Sequence, residues 1–198
     1  SGTAALHLLG IALGWKKNDI ILTTPITFLA SSNCILYSEA TPSFVDIDFN
    51  TGNICPSKLE IKIKKLRKKR KKIKAIIAVD FAGNPCDWKK LSTISKKYNI
   101  NLINDNCHAI GSSLNKNSKY AIKYADYVTL SFHPVKSITT GEGGAIISKN
   151  KEIDRTIKIL RAHGVEKKPK QGSWYYEMDR IGFNYRLSDI HCALGISQ

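Results

Sequence analysis

Long apolar runs, paired cysteines and acidic residues are what this 198-residue chain lacks. No stretch approaches the roughly 18 consecutive apolar residues that a membrane-spanning helix needs, and the opening residues lack the charged-then-apolar layout of a secretory leader. The expectation is a soluble chain without a membrane partner. Five cysteines, at 34, 55, 86, 107 and 192, form no CxxC pair. An odd number spread this widely argues against a zinc site and a disulfide framework, so no metal is expected and a reducing cytoplasm is the default location. Acids number 16 against 31 Lys and Arg, for a net charge of +15. That balance ordinarily suggests nucleic acid or an anionic membrane, but the surplus is concentrated. Ten basic residues fall between Lys62 and Lys74 (KIKKLRKKRKKIK) with no acid among them, leaving only +5 for the rest. No aromatic residues are interleaved there for base stacking, so the run reads as a solvated helix end and loop and nucleic acid is not an expected partner.

What the chain does have is a regular alternation. With 42% hydrophobic residues it can bury a sizeable core. Short apolar runs at 20–24, 43–47, 75–80, 100–105, 127–132 and 144–148 look like buried strands. Amphipathic stretches at about 3–13, 27–38, 57–70, 87–98 and 151–162 lie between them, bordered by breakers such as Gly14, Pro25, Pro42, Gly52 and Pro85. Repetition of strand, helix, strand predicts an α/β sandwich with a largely parallel sheet, whose ligand site lies beyond the carboxyl ends of the strands. Ser1 is not an initiator Met, and Gln198 falls inside a helical pattern, so the chain is expected to be a piece of a longer one.

Three segments could carry chemistry. Ser1-Gly2-Thr3-Ala4-Ala5-Leu6 opens a helix with a hydroxyl residue and a glycine, and such an end binds phosphate through free N–H groups. Simple capping without a ligand is the commoner role of such a start. Asn104-Asp105-Asn106-Cys107-His108 follows a strand and places an acid at its carboxyl end; Asp105 could equally cap the next turn, and His108 could be a satisfied, partly buried imidazole. Ser131-Phe132-His133-Pro134-Val135-Lys136 leads from another strand into the glycine turn Gly141 to Gly144. A lysine held there in a desolvated site loses its proton cheaply and becomes nucleophilic, although a plain surface lysine fits the same pattern. No GK[ST] follows, so the turn is not a Walker loop.

A phosphate cradle, a carboxylate and an amine at three strand ends are the set that pyridoxal phosphate chemistry requires. Its phosphate needs backbone donors, its ring nitrogen an acid that keeps it protonated, and its aldehyde a lysine amine.

SGTAAL, PITFLASSN, FVDID, the DNCHAIG block, SFHPVKSITTGEGG, LRAHG and FNYRLSDIHCALG, taken together, resemble the DegT-type nucleotide-sugar aminotransferases along nearly the whole chain. The resemblance implies a fold-type I pyridoxal phosphate enzyme, with a mostly parallel sheet of the seven-stranded type between helices. HPVKSITTGEGG, WYYEM and GFNYRLSDI are most similar to the branch that aminates carbon 4 of UDP-linked 4-keto-6-deoxy-N-acetylhexosamines on the way to pseudaminic acid. Matching positions implies that Lys136 bonds the cofactor and Asp105 partners its ring nitrogen. Phe28 would stack on the ring, Gly2, Thr3 and Ala4 would meet the phosphate with Ser131, and His108 would sit near the phenolic oxygen. Asn184 matches the residue that reaches the neighbouring subunit's phosphate, which implies a homodimer with shared sites. L-glutamate is the amino donor that the resemblance implies. Residues 1–198 would form the cofactor-binding large domain, incomplete at its start and lacking a smaller C-terminal domain. Asn104 and Asn106 stand where the family usually has Glu or a small residue, and Asp80 where a His is common. Two kinds of alternative stay open. One is a sugar dehydratase of the same fold, whose members carry His at the lysine position; the other is a non-enzymatic pyridoxal-binding or basic nucleic-acid-binding module.

Overall fold

Apolar residues on both faces of the central strands decide the architecture. The computed structural model describes residues 1–198, the side chain of Pro169 apart. Strands β1 (Asp19–Thr23), β2 (Thr41–Phe44), β3 (Lys72–Val79), β4 (Asn101–Asp105), β5 (Tyr127–Ser131) and β6 (Gly144–Ser148) form one sheet in the order β2-β1-β3-β4-β5-β6. Every pairing is parallel except that of β6 with β5. The sheet is therefore mainly parallel, as expected, with six strands among the described residues rather than the seven of the resembled type. The helices are α1 (Gly2–Ala12), α2 (Ala30–Tyr37), α3 (Pro56–Lys68), α4 (Trp88–Tyr98), α5 (Tyr120–Tyr124), α6 (Lys151–Leu160) and α7 (Asp189–Ile196). A two-stranded antiparallel ribbon pairs β7 (Val165–Lys167) with β8 (Tyr176–Met178).

Alternate strand residues feed two separate cores. Ile20, Leu22, Ile76, Ala78, Leu102 and Val128 pack on one face with Leu59, Ile63, Trp88, Leu91 and Tyr120 from α3, α4 and α5. Ile21, Ala75, Ile77, Ile103 and Tyr127 pack on the other with Leu6, Leu9, Ile35, Ile157 and Leu160 from α1, α2 and α6. Burial on both sides is what a parallel sheet covered by crossover helices demands. It also sorts the residues at the strand ends, because a side chain's face follows from its parity.

Several borders differ from the sequence expectation. β2 begins at Thr41 instead of 43 and includes Pro42, tolerated because β2 is an edge strand. α2 begins at Ala30 instead of 27, after an irregular segment that follows β1. The five-residue α5 and the ribbon strands of three residues were not anticipated, being shorter than the windows over which periodicity can be read.

Candidate active site

Parallel strands end together, so the residues just past β3, β4 and β5 converge on one side of the sheet. A cleft of about 540 Å³ opens there, lined among others by Gly2, Thr3, Phe28, Asp105, His108, Ser131 and Lys136. Seven of the nine expected site residues thus meet in one place. Ala4 and Asn184 line an adjoining cavity of about 750 Å³, which shares Ser1, Thr3 and Glu142 with the first.

The start of α1 forms one wall. Ser1 caps the helix, its Oγ accepting from the Ala4 N–H at 3.2 Å while its carbonyl accepts from Ala5 N–H at 3.0 Å. Ala4 therefore has its N–H occupied, whereas the first N–H groups, those of Gly2 and Thr3, are the ones a helix start leaves open. Gly2 is required for this approach: a Cβ there would lie 2.9 Å from Ser131 Cβ and 3.0 Å from Cys107 Sγ. The absent side chain brings the positive end of the helix beside the Ser131 hydroxyl, giving two kinds of anion donor in one corner.

Asp105 ends β4 and is 5% exposed. Its Oδ2 accepts from Ser31 Oγ at 2.7 Å, and its Oδ1 from Cys107 N–H at 3.3 Å. Ser31 in turn lies 2.8 Å from Thr27 Oγ1. A buried carboxylate with such donors is held in one orientation. Burial first, and then the neighbouring Asp105 charge, push the Cys107 thiol far above its ordinary range; the same pair of causes raises Cys34 to about 12. Neither sulfur is a nucleophile at neutral pH. His108 moves the opposite way, lowered mainly by burial and then by the Lys136 cation, with Asp105 opposing. Its ring is neutral at pH 7, able both to donate and to accept.

Lys136 sits half-buried on the loop between β5 and β6. Phe132 N–H donates to Gly143 O at 2.9 Å and Thr140 N–H to Phe132 O at 3.0 Å, which pins both feet of the loop, while Lys136 N–H donates to His133 O at 2.9 Å. Phe28 lies at the mouth of the cleft, 65% exposed. Asn184 is held by a bridge between its backbone and that of Ala162, beside Tyr185, whose N–H donates to Arg161 O at 2.9 Å. Sequence reasoning missed Ser31, although hydroxyl residues at 27 and 31, one helical turn apart, were a readable signal for a polar stripe.

Comparison with known proteins gives a consistent result. A family model described as DegT/DnrJ/EryC1/StrS aminotransferase matches residues 1–198. The UDP-4-amino-4,6-dideoxy-N-acetyl-beta-L-altrosamine transaminase of Campylobacter jejuni subsp. jejuni serotype O:2 is 50% identical over 198 residues, covering 100% of this chain and 50% of that protein. Helicobacter pylori PseC, an aminotransferase involved in the biosynthesis of pseudoaminic acid, superposes with a TM-score of 0.88 at 36% identity, over 100% of this chain and 51% of that one. The PLP-form of the sugar aminotransferase Spr1654 from Streptococcus pneumoniae gives 0.85 at 31% identity, over 100% and 52%. The chain spans about half the length of the curated relatives it matches.

Proposed function

Because this chain belongs to the DegT/DnrJ/EryC1/StrS aminotransferase family, we propose that it forms the cofactor-binding part of a pyridoxal phosphate-dependent sugar aminotransferase. The reaction moves an amino group from L-glutamate to a 4-keto-6-deoxy nucleotide sugar of the UDP-N-acetylhexosamine type, in pseudaminic acid or related cell-surface glycan biosynthesis. The observation that carries the reading is the meeting of open helix N–H groups, a buried carboxylate and a lysine in one cleft.

The residues present fit this cofactor. Gly2, made necessary by the close approach of Ser131, leaves a cradle of the right chemistry for a phosphate. Asp105, an acceptor at the floor of the cleft, suits a protonated pyridine nitrogen. When bound, pyridoxal phosphate supplies the aldehyde that takes up the amino group and the ring that accepts an electron pair. The protein's own residues do the rest. Gly2 and Thr3 N–H and Ser131 Oγ would hold the phosphate, and Phe28, at the mouth of the cleft, would cover the ring. Asp105 holds the proton on the ring nitrogen, which stabilises negative charge electrostatically. Lys136 would hold the cofactor's aldehyde through Nζ, and its amine, when free, would serve as the general base and acid of the cleft. His108, neutral at pH 7, would meet the phenolic oxygen.

Asn184, in the adjoining cavity, is assigned to the phosphate of a second subunit, so the active unit is a homodimer. Residues 1–198 are the large domain of that unit, completed by further chain and a smaller C-terminal domain. Five free cysteines support a cytoplasmic location. Borohydride reduction of the full-length, cofactor-loaded protein followed by peptide mapping tests the reading. An adduct on Lys136, and loss of turnover in Lys136→Ala, is expected; an adduct elsewhere, or near-normal transamination by the variant, overturns it.

A further inference from the structure

Three polar residues outside the cleft, Asp80, Asn104 and Asn106, form one buried cluster. Asp80 follows β3 and is fully buried, as is Asn104, and Asn106 is 5% exposed. Asp80 Oδ2 accepts from Asn104 Nδ2 at 3.1 Å, Asn106 Nδ2 at 2.9 Å and Tyr120 OH at 2.7 Å. Its Oδ1 accepts from Cys86 N–H at 2.8 Å and Trp88 Nε1 at 2.9 Å. The Asp80 N–H donates to the carbonyl of Asp105 at 3.2 Å. One residue thus grips the catalytic strand end at three points: the main chain of Asp105 and the side chains on either side of it.

Parity gives this grip its consequence. Asn104 and Asn106 lie on the face of the sheet shared by Leu102, α4 and α5, and Asp105 lies on the opposite face with Ile103 and α2. Fixing residues before and after a strand position on one face fixes the residue between them on the other. Asn104 supplies a second indication, since its Oδ1 is buried without a partner. An unpaired buried acceptor is costly, and an apolar side chain would avoid the cost, so what Asn104 contributes here is its donor, which is spent on Asp80.

We propose that Asp80 is the positioning residue for Asp105, acting through Asn104 and Asn106, and that it holds the Asp105 carboxylate in register with the cofactor ring nitrogen. The proposal rests on the reading of the cleft as a pyridoxal phosphate site. The network divides conveniently. Asp80→Asn removes the charge that five donors share; whichever way the amide turns, its nitrogen opposes donors, and any bonds kept to Asn104 and Asn106 are neutral and weaker, so the grip on the flanks of Asp105 loosens. Trp88→Phe removes a donor from Oδ1 and leaves those flanks alone.

The test compares Asp80→Asn, Asn106→Ala and Trp88→Phe in the full-length enzyme, with urea stability recorded for each. In Asp80→Asn and Asn106→Ala the pH midpoint of the visible absorbance band of the loaded enzyme is expected to move. kcat should fall about ten- to a hundredfold, the range for a misplaced catalytic group, with KM for the nucleotide sugar little changed. Trp88→Phe should lose stability and keep both the midpoint and kcat. If Asp80→Asn does not fold, Asn106→Ala and Asn104→Ala, each removing one donor, decide the matter. Wild-type midpoint and kcat in the variants that release the flanks, or an equal change in Trp88→Phe, overturns the proposal. Failure of the wild type to bind pyridoxal phosphate would overturn the reading of the cleft instead. The clamp is then judged on the apo protein by amide exchange at Asn106 and Cys107, whose N–H groups bond Thr129 O at 3.0 Å and Asp105 Oδ1 at 3.3 Å. Exchange about tenfold faster in Asn106→Ala than in Trp88→Phe of matched stability supports the clamp, and equal rates overturn it.

Discussion

Single side chains in the cleft have separable jobs. Ser31→Ala takes from Asp105 its 2.7 Å hydroxyl donor and leaves one carboxylate oxygen buried without it. A hydrogen bond to a charged group contributes about 1.5–3 kcal/mol, so a stability loss of that order is expected by urea titration, together with reduced turnover. Unchanged stability would show that another donor takes over. His108 gives a pH signature. Burial, then the Lys136 cation, place its folded pKa below the ordinary value, so the folded chain binds this proton less tightly than the unfolded chain. The stability it contributes is complete above about pH 6.5, the unfolded value, and is lost as pH falls through the folded pKa. His7, lowered by burial, acts in the same direction. Unfolding midpoints measured between pH 7.5 and 5 should fall with acidity in wild type and fall less in His108→Gln; identical slopes would contradict this. Lys136, Asp105 and Ser131 were legible in the sequence because each stands just past an apolar run that can only be a buried strand. The bonds of Ser31 to Asp105 and of Asp80 to Asn104, Asn106 and Tyr120 were not: Thr27 and Ser31 mark a polar stripe, but the partners lie 74 and 24–40 positions away and nothing local names them.

Helices and strands show why some borders were readable and others were not. Asn150 caps α6 in a pattern visible from sequence, its Oδ1 accepting from Glu152 N–H at 2.9 Å and Ile153 N–H at 3.2 Å. Asn150→Ala should cost about 1 kcal/mol with cofactor binding intact, measured as a shift in urea midpoint alone. The contact that places α1 was not readable. Gly144 opens β6, and a Cβ there would collide with the Ser1 carbonyl and the Gly2 nitrogen at the helix start. In the sequence Gly144 reads only as part of a glycine turn. Gly144→Ala is expected to displace the helix start, lower stability by about 1–3 kcal/mol as overpacking does, and weaken cofactor binding more than Asn150→Ala. Equal cofactor affinity in the two variants would contradict this role. The same distinction explains α5 and the β7–β8 ribbon: their existence depends on what packs beside them, not on a local period.

Across the whole molecule, charge and chemistry occupy opposite ends of the sheet. The strand alternation foretold this polarity for the cleft, but where the basic run would fall depended on the parallel register. In the structure the run covers the end of α3 and the start of β3, where Lys72 reaches Asp19 at 3.2 Å at the amino ends of the strands. Val79, at the other end of β3, lines the cleft. Seven residue steps at about 3.3 Å each separate them by about 23 Å, close to three Debye lengths of about 8 Å at physiological salt. Screening over that path reduces the field of each lysine to a small fraction of its unscreened value. Lys65, Lys68, Lys69 and Lys71 are exposed and form no ion pair among the described residues. Changing all four to Gln in the full-length enzyme should alter pyridoxal phosphate affinity and kcat less than about twofold at 0.15 M salt. At 0.01 M salt the Debye length is about 30 Å, and a modest loss of affinity for the anionic cofactor should emerge. A large loss that persists at high salt would mean that the run acts on the cleft by contact or by a change of fold, not through its field.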